Sequence, residues 1–214
     1  GGLHFGLSGF AFWSHDVPGF HSTPNFMNSP LDQSVYVRWT QFGVFSSHMR
    51  YHGSFKREPW HYPDIAKIVK KWWKLRYYLL PYIYIIEQGK KACKSGLPML
   101  QALIFRHPHD RQCWHIDDEY YFGSEFLVAP IMNSEGKRDI YLPDGLWVDF
   151  FTGERLEGGR WHYDVECPLD RMPVFVRPGA EIPLYPEEVD STDDMDFEKT
   201  VYLHISRDYK GIRF

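Results

Sequence analysis

The sequence predicts an α/β segment followed by an antiparallel β segment. In the first part of the chain, two short apolar runs that end in polar, titratable residues alternate with helical patterns. From Leu97 onward the chain consists of short runs rich in β-branched and aromatic residues, separated by Gly, Pro and Asn-Ser. Alternating strands and helices are typical of parallel α/β folds, and short strands between turn residues are typical of antiparallel sheets.

Two apolar runs in the first part predict buried strands. Residues 7–13 end abruptly in a polar group and then break at residues 17–19 (Val-Pro-Gly), and residues 44–47 are followed by a second polar group. The polar residues after the two runs are Ser14, His15, Asp16, His48, Arg50 and His52. Because parallel strands present their carboxyl ends at one edge of a sheet, we expect one site there.

A short helix is predicted between the two runs. Residues 32–42 place Val35, Trp39 and Phe42 at helical spacing. With the later helix that begins at Pro63, the predicted order of elements is strand, helix, strand, helix. That order corresponds to two consecutive βα units.

A longer helix begins at Pro63. Its apolar residues recur at steps of three and four, and basic residues occupy much of the other face. The apolar positions are Ile65, Ile68, Val69, Trp72, Leu75, Leu79, Tyr82, Ile83 and Ile86, and the basic ones are Lys67, Lys70, Lys71, Lys74 and Arg76. Pro81 lies inside the pattern, so we expect a kink or break there. Gly89 or Gly96 is expected to end the run.

The second part of the chain is predicted to form a β-sandwich. Its strand-like segments read MLQALIF, EFLVAPIM, RDIYLP, LWVDFFTG, RWHYDV and MPVFVRPGAEIPLY. Residues 187–198 contain seven acidic residues and no basic one, which predicts a solvated linker. We therefore predict an α/β domain over residues 1–92, a β-sandwich domain over 93–186, and a linker with the start of a further β domain over 187–214.

Composition limits the classes of partner. A net charge of −4 over 214 residues argues against nucleic acid and anionic membranes, which favour a basic face. No apolar run approaches the roughly 20 residues that cross a bilayer, and no signal-peptide pattern is visible. Three widely separated cysteines, Cys93, Cys113 and Cys167, favour reduced thiols and a cytoplasmic location. Aromatic residues reach 18 %, which suits either core packing or stacking on sugars.

Several chemistries remain open for the polar residues. Asp16 has the chemistry of a general acid, a nucleophile or an acceptor for substrate hydroxyls, and equally of a helix cap or a salt-bridge partner. His15 fits either a ligand or a hydrogen-bonded pocket wall. Arg50 and His52 fall on one strand face. A metal site is a further alternative, but its candidate ligands match no zinc spacing; they are His15, Asp16, His48, His52 and His61. No Gly-rich phosphate loop and no G-x-S-x-G elbow is present, which disfavours P-loop and serine-nucleophile chemistry.

An ordered set of motifs resembles glycoside hydrolase family 31, and the closest likeness is to its α-xylosidase and α-glucosidase branch. The motifs lie at residues 6–16, 38–43, 46–53, 57–60, 79–84, 122–130, 141–143, 147–153 and 175–179. The resemblance implies a (β/α)8 barrel followed by β domains. On that basis residues 7–13 are the seventh barrel strand, residues 44–48 are the eighth, and the helix from Pro63 closes the barrel.

The resemblance also implies the chemistry of the site. The family hydrolyses α-glycosidic bonds with retention, using a nucleophile and an acid/base that lie on earlier barrel strands; neither motif occurs in this chain. Asp16 is then a substrate-binding carboxylate, His52 contacts the sugar in the −1 subsite, and Trp13 and Arg50 are pocket walls. Residues 17–19 depart from the family's Ile-Gly-Gly, so the loop over the pocket is expected to differ.

The sequence is thus expected to be the C-terminal part of a longer enzyme and to be inactive alone. No cofactor or metal is expected, the partner is an α-linked oligosaccharide or glycoside, and oligomerisation is possible. Two alternatives stay open. One is a non-catalytic or degenerate carbohydrate-binding module, and the other is a transglycosylase that uses the same residues.

Overall fold

A computed structural model describes residues 1–21, 31–54, 56–85 and 88–213. The α-helices are α1 (Gly2–Leu7), α2 (Gln33–Val44), α3 (Pro63–Tyr78) and α4 (Gln88–Ser95). The strands are β1 (Asp16–Val17), β2 (Arg50–Tyr51), β3 (Leu100–Ala102), β4 (Tyr120–Phe122), β5 (Phe126–Val128), β6 (Lys137–Leu142), β7 (Leu146–Asp149), β8 (Arg155–Glu157), β9 (Arg160–Glu166), β10 (Val174–Val176), β11 (Glu181–Leu184) and β12 (Val201–His204).

A parallel strand pair is present, but it is shorter than expected and coincides with neither predicted strand. β1 and β2 pair in parallel, with Asp16 opposite Arg50. The prediction of a buried strand at residues 7–13 is wrong, because Leu7 ends a helix and is 55 % exposed, and Phe10 is 56 % exposed. Apolar character alone does not distinguish a strand from other apolar segments, and this run has no strand partner among the described residues.

The second expected strand, residues 44–48, is also wrong. Val44 is the last residue of α2, and a turn follows it before β2 begins at Arg50. Residues 44–47 are nevertheless buried, the two serines as well as Val44 and Phe45. A buried helix end and a buried strand have the same short apolar pattern. No closed barrel is formed by the described residues, and the sheets other than the β1–β2 pair are antiparallel.

The prediction of a helix over residues 32–42 is confirmed by α2. Asp32 caps it by accepting hydrogen bonds from the amides of Ser34 (2.8 Å) and Val35 (3.3 Å). The buried face differs from the expected one, since Val35 is 43 % exposed. The buried residues are Tyr36, Val37, Thr40, Gln41, Gly43 and Val44.

The long helix and its interruption are also confirmed. α3 begins at Pro63, where a missing amide hydrogen costs nothing, and ends at Tyr78. A π-helical segment follows at Pro81–Ile85. α4 ends at Ser95, directly before Gly96, whose φ of +73° favours glycine. Ile86 lies outside the described residues.

The antiparallel β prediction is confirmed by a six-stranded sheet in the order β3-β4-β5-β10-β7-β8. Both faces of β4, β5 and β10 are buried, which explains why these strands read as continuous apolar runs. One face packs against helices α3 and α2 through residues such as Phe122, Phe126 and Val174. The other face, with Leu127 and Phe175, packs against the β6–β9 ribbon.

Hydrogen bonds join the helical part to the β part. The Tyr120 hydroxyl donates to the Phe45 carbonyl (3.0 Å), and Gln41 donates to the Leu169 carbonyl (2.7 Å). Arg38 donates to the Cys167 carbonyl (2.7 Å). Because the largest apolar cluster also contains residues of both parts, the β sheet supports the helices that flank the candidate site.

The acidic segment at residues 187–198 is not a bare linker. It contains the 3-10 turn Thr192–Asp194, and Met195 within it is buried. Glu188 pairs with Lys74 of α3 at 2.8 Å, and Glu187 pairs with Lys199 at 3.0 Å. The predicted domain boundaries remain predictions. No described helix has both the length and the apolar character that a bilayer crossing requires.

Candidate functional site

Asp16 and Arg50 lie side by side at the junction of β1 and β2. The two residues are register partners, and Nε of Arg50 donates to Oδ1 of Asp16 at 2.5 Å. The Asp16 side chain is 19 % exposed, whereas that of Arg50 is 63 % exposed. Within the described part of the chain, no hydrogen bond uses Oδ2 of Asp16. The carboxylate is therefore oriented through one oxygen and retains a second acceptor.

His52 lies on the same side of the strand pair as Arg50, because side chains two residues apart in a strand share a face. Its backbone amide donates to the Val17 carbonyl at 3.3 Å, which continues the parallel pairing past β2. The imidazole is exposed and makes an edge contact with the Phe20 ring at 5.2 Å. The structure thus brings together three of the four predicted site residues, Asp16, Arg50 and His52.

The loop after His52 is pinned to the loop after β1. The amide of Ser54 donates to the Phe20 carbonyl at 3.0 Å. A Cβ atom at Gly53 would lie 2.8 Å from both the Phe20 carbonyl oxygen and Nε of Arg57, so the close approach requires glycine. The peptide bond between Val17 and Pro18 is cis. These contacts fix where the His52 ring projects.

Trp13 is a half-buried wall behind the strand pair. Its ring stacks on Phe42 at 5.9 Å and lies 5.5 Å from the His15 ring. The Ser47 hydroxyl accepts from the Trp13 amide (3.1 Å) and donates to the Trp13 carbonyl (2.7 Å). Nε1 of Trp13 is buried and has no hydrogen-bond partner among the described residues. Trp13 therefore supports the site from the interior side.

His15 is held as a neutral pocket wall. The indole N–H of Trp39 donates to Nδ1 of His15 at 2.9 Å, so Nδ1 carries no proton and the proton resides on Nε2. Nε2 lies 3.0 Å from the Ser46 hydroxyl, which itself donates to the Gly43 carbonyl at 2.7 Å. Burial, followed by the positive charge of Arg76, lowers the pKa of His15 to about 4, while Asp16 opposes this shift.

Arg76 is a buried residue that the sequence pattern assigned to the wrong face of α3. Instead of facing solvent, its guanidinium donates to the carbonyls of Val44 (2.8 Å), Ser46 (2.5 Å) and Ser47 (2.9 Å). Burial lowers its pKa to about 10, so it remains charged at neutral pH. The spacing contained a signal: Arg76 lies four residues after the buried Trp72, on the same helical face.

Arg76 therefore satisfies carbonyl oxygens at the carboxyl end of α2, which have no partner within the helix. The same turn supplies Ser46 to His15 and Ser47 to Trp13. One buried cation thus organises the support behind β1 and β2.

No three or more His, Cys, Asp or Glu side chains converge as metal ligands among residues 1–21, 31–54, 56–85 and 88–213. The histidines considered for a metal site have other neighbours. His15 bonds to Trp39 and Ser46, and His61 lies 3.6 Å from Glu58. The His48 ring makes an edge contact with Phe12 at 6.2 Å.

Two family models match most of the chain. Residues 1–86 match the glycosyl hydrolases family 31 TIM-barrel domain, and residues 96–182 match the glycosyl hydrolase family 31 C-terminal domain. The chain belongs to glycoside hydrolase family 31. In this family, β1, β2 and their flanking helices are the end of the barrel domain, and the six-stranded sheet lies in the C-terminal domain.

Relatives within family 31 act on different α-linked sugars. The chain is 38 % identical over 209 residues to the α-xylosidase XylQ of Lactiplantibacillus pentosus, covering 96 % of this chain and 26 % of that protein. It is 33 % identical over 198 residues to an isomaltosyltransferase of Sporosarcina globispora, covering 86 % of this chain and 17 % of that protein.

A solved structure supports the fold. The Flavobacterium johnsoniae family 31 dextranase, a mutant complexed with isomaltotriose, superimposes with a TM-score of 0.76 at 33 % identity. The match covers 89 % of this chain and 24 % of the dextranase. The chain spans about a quarter of the length of the first curated relatives it matches.

Proposed function

We propose that the whole protein carrying these residues is a retaining α-glycosidase, acting on α-xylosidic or α-glucosidic bonds. This chain supplies the sugar-binding side of its −1 subsite. Asp16 and His52 contact sugar hydroxyls, and Arg50 and Trp13 form walls. The family membership and the likeness to an α-xylosidase support the reaction class. The oriented carboxylate of Asp16 is the observation that carries the binding role.

The geometry favours binding by Asp16 rather than bond cleavage. A carboxylate with one oxygen held by a guanidinium and one left open accepts hydrogen bonds from hydroxyl groups strongly and in a defined direction. A retaining mechanism needs two further tasks, which are attack on the anomeric carbon and protonation of the leaving oxygen. Two carboxyl groups about 5–5.5 Å apart perform them. We propose that both come from earlier barrel strands of the whole protein.

The His52 imidazole adds a second hydrogen-bonding group beside Asp16. Its exposed ring has no hydrogen-bond partner among the described residues and suits a sugar hydroxyl, while its backbone amide donates to the Val17 carbonyl. Because the loops after β1 and β2 are tied together, the two polar groups keep a constant spacing. Such preorganisation reduces the entropy lost when a sugar binds.

A substrate series with product analysis tests the proposed function. The whole protein is incubated with 4-nitrophenyl α-xyloside and α-glucoside, and proton NMR follows the anomer released first. We expect the α-anomer, with hydrolysis of at least one substrate. Release of the β-anomer, or no turnover of either substrate, would overturn the proposal.

The transferase alternative is supported by the likeness to the isomaltosyltransferase. A transferase passes the glycosyl group to a sugar hydroxyl rather than to water, and the same −1 subsite serves both reactions. Products longer than the substrate, formed at low substrate concentration, would favour the transferase. Free monosaccharide alone would favour the hydrolase.

A further inference from the structure

A second groove lies on the β part of the molecule and uses none of the site residues described above. The 3-10 turn Arg111–Trp114, the segment 115–118 and Trp161 of β9 line it. Its volume is about 510 Å³, and it is shallow and open to solvent. Its lining combines tryptophan rings with charged and amide side chains.

Trp114 presents its ring in this groove in a fixed orientation. The side chain is 50 % exposed, although tryptophan is on average a largely buried residue. Its indole N–H donates to the Pro108 carbonyl at 2.9 Å, so the polar edge of the ring is satisfied by the protein. What remains exposed is therefore mainly apolar ring surface, held in one orientation.

The second ring, Trp161, is also held in place. Its indole N–H donates to Oε1 of Gln112 at 3.0 Å, and its ring packs against that of Tyr141 at 5.3 Å. The bond leaves the side-chain NH₂ of Gln112, a residue that lines the groove, without a partner among the described residues. That NH₂ group is a donor suited to a ligand oxygen.

The turn that carries Trp114 is anchored on both sides. Oδ1 of Asp110 accepts from the backbone N–H of Gln112 at 3.0 Å, and Oδ2 of Asp110 accepts from the Tyr141 hydroxyl at 2.6 Å. Cys113, directly before Trp114, is buried in the core beneath the turn. A ligand that binds here meets a groove that is already formed, so little ordering of the protein opposes binding.

The polar rim fits a neutral, hydroxyl-rich ligand. Arg111 and His115 are exposed donors, and Asp117 and Asp118 are exposed acceptors. Asp118 is already paired with Arg138 at 2.9 Å. The remaining rim charges, on Arg111 and Asp117, are of opposite sign. A balanced rim does not favour a polyanion such as nucleic acid. A flat ring face beside mixed donors and acceptors matches the apolar face and the hydroxyl edge of a pyranose.

We propose that this groove is a carbohydrate-binding site separate from the active site, and that it holds an α-linked oligosaccharide by stacking a sugar ring on Trp114. The choice of an α-linked sugar rests on the proposed function, whereas the binding of a pyranose chain rests on the groove alone. Binding here would retain long substrates near the enzyme without any role in bond cleavage.

Binding stoichiometry in the whole protein tests this proposal. Isothermal titration with isomaltoheptaose, maltoheptaose and a xyloglucan heptasaccharide is performed on the wild type and on the Trp114→Ala and Tyr202→Ala variants. Tyr202 is 57 % exposed on β12 and does not line the groove, so it controls for loss of an exposed aromatic ring. Hydrolysis of a 4-nitrophenyl glycoside, which carries a single sugar unit, is measured in parallel.

We expect two sites on the wild type for at least one oligosaccharide, and about tenfold weaker binding at one of them in Trp114→Ala only. Hydrolysis of the short glycoside should be equal in all three proteins. Equal oligosaccharide binding by wild type and Trp114→Ala would overturn the proposal. A lower melting temperature of Trp114→Ala with unchanged binding would also overturn it, because the ring would then pack against the rest of the whole protein. Absence of glycoside turnover with intact binding would contradict the proposed function alone.

Discussion

Trp39 donates its indole N–H to Nδ1 of His15 across 2.9 Å, and this bond fixes the tautomer of the residue next to Asp16, whose cationic form is disfavoured by burial and by Arg76. A protonated imidazole would place two N–H groups face to face. His15 therefore stays neutral, and its Nε2–H donates a hydrogen bond to the Ser46 hydroxyl. A histidine adjacent to the candidate site is thus a positioning residue and not an acid or base.

Removing the indole N–H of Trp39 should raise the pKa of His15. Trp39→Phe retains an aromatic ring but no longer opposes the cationic form, so we expect the imidazole to titrate above its present value of about 4. Proton NMR titration of the imidazole measures this. Trp60→Phe, at an indole that is 73 % exposed, is the matched control and should leave the pKa of His15 unchanged. An equal pKa in wild type and Trp39→Phe would contradict the role of the bond.

His15 should also make the protein less stable in acid. Its pKa is lowered from 6.5 to about 4 in the folded state, so the unfolded chain takes up a proton first as the pH falls. Stability is complete above about pH 6.5 and is lost progressively down to about pH 4. Urea unfolding from pH 7 to pH 4 should show this decline, and His15→Gln should show a shallower one. Parallel pH profiles for the two proteins would refute the assignment.

Arg76 should be among the most sensitive positions in the molecule. Arg76→Met removes the donor that serves the Val44, Ser46 and Ser47 carbonyls and leaves them buried without a partner, so we expect a loss of about 3 kcal/mol or more in unfolding free energy. Lys74→Met, on the same helix, removes an exposed pair with Glu188 and is the control; it should change stability little. Similar effects of the two substitutions would contradict the account.

Glu119 should make the stability of the protein depend on pH in the direction opposite to His15. Its side chain is fully buried, and its Oε2 has no partner in the described part of the chain. Burial raises the pKa of Glu119 to about 8. The Tyr141 amide and Arg138, which both donate to Oε1, oppose this shift. The folded state then holds a proton that the unfolded state releases near pH 4.5, and Glu119 lowers stability as the pH rises from about 4.5 to about 8.

Replacement of Glu119 by glutamine should remove this effect. Glu119→Gln keeps an oxygen for the Tyr141 amide and carries no charge. Chemical denaturation at pH 5 and pH 9 should show a stability gain over wild type that is larger at pH 9. A gain that is the same at both pH values, or larger at pH 5, would contradict the raised pKa.

The sequence predicted the elements with strong periodicity and end signals. α3 was predictable because Pro63 starts it and Pro81 interrupts it, and α2 because apolar residues recur after Asp32. The antiparallel β part followed from its short runs and turn residues. These signals are local, so no knowledge of the tertiary fold was needed.

The strand assignments failed at short runs that carry no periodic pattern. Residues 44–47 are buried because the six-stranded sheet and α3 cover them, and burial alone does not reveal that Val44 still belongs to a helix. The proximity of Asp16, Arg50 and His52 was predictable from their positions after these runs, and their roles at a sugar remain predictions. The roles of Trp39 and Arg76 depend on contacts across 24 and about 30 residues, which no local pattern contains.

The exposed ion pair at the site should matter for binding rather than for folding. Arg50→Ala frees the Asp16 carboxylate to rotate, and because the Arg50 side chain is 63 % exposed we expect little change in stability. We expect KM for a 4-nitrophenyl glycoside to rise about tenfold, with a smaller change in kcat. Arg50→Lys retains the charge and should give an intermediate KM. An unchanged KM in Arg50→Ala would remove Arg50 from the site.

The most direct test of the central claim, that Asp16 binds the sugar without cleaving the bond, is the activity of Asp16→Asn in the whole protein. We expect kcat/KM for the preferred 4-nitrophenyl glycoside to fall about a hundredfold or more, with an unchanged melting temperature and no rescue by azide. Asp190→Asn, at an exposed acidic residue outside the site, should retain full activity. Activity of Asp16→Asn within about threefold of wild type would contradict a role in binding. Recovery of Asp16→Gly activity by azide, with formation of the β-glycosyl azide, would instead identify Asp16 as the nucleophile, because azide then attacks from the face of the missing carboxylate.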